Sequence, residues 1–178
     1  MQFLADLLPA GLAVHAPALI VAIPLIMAAV AALMPNGKAG WGVALATSAI
    51  VAILALVLLG QVSTGGVVSY HMGGWAPPFG IEYRVDMLNV ALLLLVGLVG
   101  LLCVIYALPS VEDEIKASQR ALFYSAFLVC FAGLLGVTIA GDAFNVFVFL
   151  EISSISTYTI IAMGADKDRR ALTASYNY

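Results

Sequence analysis

The chain has 178 residues, 63% of them hydrophobic and 10% charged, with a net charge of −3 and a mean hydropathy of +1.10. Soluble domains carry about 45–50% apolar and about 25% charged residues, so this composition is that of an integral membrane protein and excludes a soluble enzyme. No basic patch with interleaved aromatics is present, which sets nucleic acid aside as a partner.

In chain order, the N-terminal stretch MQFLADLLPAGLAVHAPALIVAIPLIM has no Lys or Arg ahead of its apolar part. It reads as a lead-in to a true span, not as a cleavable signal. Five apolar segments follow, Ala16–Met34, Trp41–Val62, Met87–Leu108, Ala121–Ala140 and Phe144–Gly164. Each is near the roughly 20 residues that a membrane helix needs. Pro17 and Pro24 predict a kink in the first, where neighbouring helices can satisfy the freed carbonyls. The expected fold is an all-α polytopic membrane protein, with residues 1–164 as the membrane domain. Residues 165–178 form a cytoplasmic tail or begin a further helix.

The connection between the second and third spans is rich in β-branched and aromatic residues at Val67–Met72 and Ile81–Val85, around a Gly/Pro turn. That pattern predicts a β-hairpin, with Tyr70, Trp75 and Tyr83 as anchors at the membrane surface. The last two spans are joined by Gly141–Ala143 alone, which makes them an antiparallel hairpin of helices. Asp142 suits the N-cap of the final span; a second reading makes it a proton acceptor at the outer end. Asp86 is expected to cap the third span in the same way.

The seven basic residues set the orientation. Lys38, Lys116, Arg120, Lys167, Arg169 and Arg170 fall on one side and Arg84 on the other. Cytoplasmic loops collect Lys and Arg, so the N-terminus and the β-hairpin are expected outside, in a cytoplasmic (inner) membrane. The run Glu112-Asp113-Glu114 reads as a solvated face. Cys103 and Cys130 read as buried thiols. His15 and His71 have no ligand-spaced partner, and no phosphate loop, nucleophile–base pair or Cys/His cluster appears. No cofactor and no metal are therefore expected.

Glu151 is the exception within the apolar segments. An acid well inside a span costs about 2–3 kcal/mol or more unless paired, solvated or protonated, and such groups generally lie on ion or proton paths. Phe147, Ser154 and Tyr158 share its helical face. Ser154 and Tyr158 can hydrogen-bond a carboxylate or hold a water against it. Ser153, Ser156, Thr157 and Thr159 fall on other faces and suit helix packing. No Lys, Arg or His lies inside another span, so the partner of Glu151 must be solvent, a further segment or another subunit. The alternative is a permanently paired structural acid.

Three blocks, GGWAPPFGIEYRVD, GDAFNVFVFLEISSISTY and DRRALTASYNY, resemble the proton-antiporter family. It comprises the pumping membrane subunits of complex I, antiporter-like subunits of membrane-bound hydrogenases, and the large subunits of Mrp-type sodium/proton antiporters. The D-type Mrp subunit is the nearest in appearance. The resemblance places the family's fifth-helix proton-transfer glutamate on Glu151 and its N-terminus outside. It implies proton translocation within a multisubunit complex, with protons and an undetermined second cation such as sodium as cargo. Family members are far longer. The broken helix, the second repeat and the lysine that pairs with the glutamate fall outside these residues. The chain is then a fragment, or a split subunit whose partner chain supplies the rest. The alternative function is a non-transporting assembly subunit of such a complex.

Overall fold

The computed structural model describes residues 9–75, 79–166 and 169–177. The lead-in up to residue 8, the Ala76-Pro77-Pro78 part of the turn, Lys167, Asp168 and Tyr178 lie outside them. After a single turn at Ala10–Ala13, the chain forms α1 (Ala16–Ala32), α2 (Gly37–Gly65), β1 (Val68–His71), β2 (Glu82–Val85), α3 (Met87–Glu114), α4 (Arg120–Ile139), α5 (Ala143–Met163) and α6 (Arg170–Asn177). Helices α2 to α5 are each long and apolar enough to cross a membrane, and α1 is a shorter apolar helix. The polytopic all-α reading is therefore correct, and the strands pair antiparallel as the expected hairpin.

Local chemistry sets most boundaries. Pro17 stands at the start of α1, where its missing N–H leaves no bond broken, while Pro24 is buried within the helix. Asn36, Asp86 and Asp142 cap α2, α3 and α5 with their side chains. Asp86 and Asn89 complete a capping box. The third helix runs past the expected end at Leu108, through Pro109 to Glu114. Its last turn is held by buried Val111 and by Arg120, whose Nε and Nη2 donate to the carbonyls of Ile115 and Glu112 at 2.9 and 2.5 Å. Those are the carbonyls that a helix end leaves without partners.

Helix α4 is the hub, packing against α1, α2, α3 and α5. Ile20, Leu58, Leu93, Leu128, Leu135 and Ile139 are wholly buried around it. Close approach depends on glycine. A Cβ at Gly133 would lie 2.8 Å from the Ser153 N and 3.0 Å from the Phe149 O, and one at Gly136 would lie 2.3 Å from the Phe149 ring. Helix α5 thus rests directly on α4, as small residues permit in membrane bundles.

The β-hairpin fastens one end of the bundle. Gly141 N–H donates to the Glu82 O at 2.9 Å, and Tyr83 bridges to Ala140. The Gln61 Nε2 donates to the Ala13 O at 2.7 Å, and His15 Nδ1 lies 2.8 Å from the Tyr70 hydroxyl. Trp75 is exposed, but Tyr83 is buried against Phe149. Tyr83 is therefore a core residue and not a surface anchor, because strand β2 folds inward over the α4–α5 turn. The thiols differ from expectation too: Cys103 is exposed and Cys130 half-buried, beside the Thr157 hydroxyl. An apolar run in a membrane helix has a face for hydrocarbon as well as a face for protein.

Two outcomes are expected. Gly133→Ala wedges a methyl against α5 backbone and destabilises the folded protein by about 1–3 kcal/mol. Gly42→Ala meets nothing within 4 Å and is neutral or stabilising by up to about 1 kcal/mol; denaturant unfolding of the two variants separates them. Burial pushes the Tyr83 phenol above its ordinary 10.0. An unfolded chain releases that proton first, so hairpin stability is intact below pH 10 and declines as the pH rises beyond it. A tyrosinate absorbance titration checks this: Tyr83→Phe removes one ring from the late-ionising fraction.

Candidate functional site

Helix α5 lies at the margin of the bundle. Its apolar window is 17% buried, against 44% for α2 and for α4. One face carries buried Asn145, Phe149, Ser153 and Ser156 and meets α4. The Ser153, Ser156 and Thr157 hydroxyls return to backbone carbonyls of their own helix, so these three do serve packing. Thr159 does the same but is exposed, which removes it from the contact face.

Glu151 occupies the opposite face and is exposed. Its neighbours on that face include Phe144, Phe147 and Ile155, at 73%, 59% and 57% exposure. Ser154 and Tyr158 are half-buried at the edge of the same face. Glu151 stands eight residues from the start of α5, about 12 Å along a helix that rises ~1.5 Å per residue. Among the described residues it has no ion pair and no hydrogen bond. The site is therefore a mid-helix carboxylate set in an outward apolar face. Bare hydrocarbon there would cost about 2–3 kcal/mol or more for the charged form.

The rotation of α5 is over-determined. Asp142 accepts from the Asn145 N–H at 2.8 Å with one oxygen and from the Asn145 Nδ2 with the other. Gly141 is tied to the hairpin, and Phe149 is trapped between Gly136 and Tyr83. At the other end Ser175 Oγ donates to the Tyr158 O at 3.1 Å, laying α6 back along α5. Glu151 cannot reach the bundle interior without breaking these contacts.

Other charged groups collect away from Glu151. Glu112 is not simply solvated: its carboxylate sits 3.8 Å from Lys38. His71 does find a carboxylate, Glu82, 3.9 Å away across the hairpin, and Ser69 donates to that same carboxylate at 2.5 Å. Their sequence separation hid both pairs. The glycine contacts that aim Glu151 were also missed; the small residues Gly133 and Gly136 on α4, facing Ser153 and Phe149 of α5, are the pattern that signals them.

No protein-family model matches the chain. It is 38% identical over 92% of its length to the N subunit of the NADH-quinone oxidoreductase of Desulforudis audaxviator, covering 32% of that protein. It is 34% identical over 68% of its length to the D-type subunit of the Na(+)/H(+) antiporter of Bacillus subtilis, covering 24% of that protein. Among solved structures, a chain of the archaeal membrane-bound sulfane sulfur reductase superposes with a TM-score of 0.80 at 28% identity, over 91% of this chain and 33% of that one. A chain of the Mrp complex from Dietzia sp. superposes with a TM-score of 0.74 at 28% identity, over 84% of this chain and 27% of that one. The chain thus spans about a third or less of the length of these relatives.

The cap and the outward acid should separate by mutation. Asp142→Ala is expected to cost about 1 kcal/mol and speed exchange of the Asn145 amide, while Asp142→Asn retains the cap. Hydrogen exchange measures both. Glu151→Gln should leave that amide unchanged, since it takes no part in holding α5.

Proposed function

Because the chain belongs to the antiporter-like family of membrane subunits shared by Mrp and complex I-type assemblies, we propose that it acts as a proton-translocating part of such an assembly, a multisubunit cation/proton antiporter or a related respiratory complex. The observation that carries this reading is the placement of Glu151: a carboxylate at mid-helix, held outward by a rigid interface and lacking a partner among the described residues. Such a group is stable in a membrane only where protein, water or a proton meets it. The assembly supplies that covering, including a basic group, a lysine of another segment or subunit, whose approach and withdrawal change the proton affinity of the acid.

Within this scheme Glu151 loads and releases the proton. Ser154 and Tyr158, on the same face, position the water that delivers it. Asp142 keeps α5 in place and stands at the end where protons enter or leave. Residues 1–164 lie in the inner membrane with the N-terminus outside, and residues 165–178 are a cytoplasmic tail or the beginning of a further helix. The convergence of Lys38, Arg120 and the start of α6 at one end of the bundle supports that orientation. Protons are the cargo, and sodium is the candidate counter-ion.

Glu151→Gln in the native assembly should abolish proton-coupled transport, measured by fluorescent pH indicators in inverted vesicles, while the amount of assembled complex stays the same. Unimpaired transport in that variant assigns the chain to assembly alone. Asp142→Asn should transport nearly as well as the parent, because its role is mainly the cap.

A further inference from the structure

The end of the bundle away from the hairpin carries a cleft of about 360 Å³, lined by Asn36, Gly37, Lys38, Glu112 and Arg120 among others. It lies where α2 and α4 begin and α3 ends, so it opens at the rim of the membrane-crossing helices. Gly37 permits the meeting: a Cβ there would fall 2.6 Å from the Arg120 Cβ.

Several donors converge on the cleft. Arg120 gives Nε and Nη2 to carbonyls and keeps its remaining N–H groups for another acceptor. Lys38 presents its ammonium from the first turn of α2, a helix of 29 residues whose partial positive charge sits here. Asn36 takes the Ala39 N–H, while the N–H groups of Gly37 and Lys38 have no partner among the described residues. Outside the cleft lining, the Tyr124 hydroxyl, one turn into α4, is buried without a hydrogen-bond partner among the described residues and within electrostatic reach of Arg120 and Glu112. Among the described residues Glu112 is the one acid in the lining, and its 3.8 Å pairing with exposed Lys38 is a weak competitor.

We propose that this cleft binds the phosphate of an anionic phospholipid. Two cations against one carboxylate make the cleft complementary to an anion. Free backbone N–H groups at a helix start and a guanidinium fork are the donors that phosphate oxygens take. The height of the cleft, at the ends of apolar helices, is where lipid headgroups lie and where basic pockets between membrane helices collect them.

Native mass spectrometry of the native assembly that contains this chain, purified in detergent and titrated with phosphatidylglycerol or phosphatidylcholine, tests the proposal. Phosphatidylglycerol should be retained preferentially. Lys38→Gln should weaken its retention about fivefold, the worth of one basic residue near a lipid surface. Glu112→Gln should strengthen it, a direction that misfolding does not produce. Lys116→Gln, in the same connection but not in the cleft lining, should leave it unchanged. Equal retention of the two lipids, equal loss from Lys38→Gln and Lys116→Gln, or displacement by inorganic phosphate at the same concentration as the lipid would each overturn the lipid assignment.

Discussion

A carboxylate in hydrocarbon has few stable arrangements, and that restriction governs the rest of this structure. Glu151 has no ion-pair or hydrogen-bond partner among the described residues and faces outward between phenylalanines and an isoleucine. Burial inside the helix packing would have required a basic partner, and the buried polar side chains among the described residues, Thr47, Ser48, Asn145, Ser153 and Ser156, include none; an unpaired buried ion carries a penalty of several kcal/mol. Outward placement leaves the group uncompensated within the described residues and open to something outside them. The fold therefore presents its mid-helix charge instead of enclosing it.

The remainder of the architecture fixes that presentation. Gly133 and Gly136 let α5 sit on α4 at backbone contact, and Phe149 fills the space between Gly136 and Tyr83. The hairpin holds the α4–α5 turn through Gly141, and Asp142 closes the first turn of α5. A helix gripped on one face cannot rotate, so a charge on the other face has a defined direction. For a proton carrier this matters: transfer depends on the distance to water and to a basic partner, and small displacements change both. The opposite end is organised around Arg120, which terminates α3 and begins α4.

Much of this is legible in the residues. Apolar length marks the five helices, the hairpin signal marks both strands, and the capping preference of aspartate assigns Asp86 and Asp142 their roles. The conspicuous acid marks the candidate site. What fails to show is long-range or directional. A stop at Leu108, before the proline, misplaces the end of α3, because helical continuation past Pro109 rests on tertiary support from Arg120 and Val111. Tyr83 reads as a surface ring because strand alternation does not say which side a hairpin folds toward. The cysteines read as buried because hydropathy alone cannot distinguish a face turned to protein from a face turned to lipid. That same ambiguity hides the direction of Glu151, which follows only from the glycine contacts on the far side of its helix.

The central claim is that further protein covers the Glu151 face in the working membrane. Spin labels at positions 147 and 155, flanking the acid, would report collision with molecular oxygen, which is concentrated in lipid. In native membranes the account predicts low oxygen accessibility at both, well below a label at position 102 on the outward face of α3. Oxygen accessibility at 147 and 155 as high as at 102 would place Glu151 against bare lipid and contradict it.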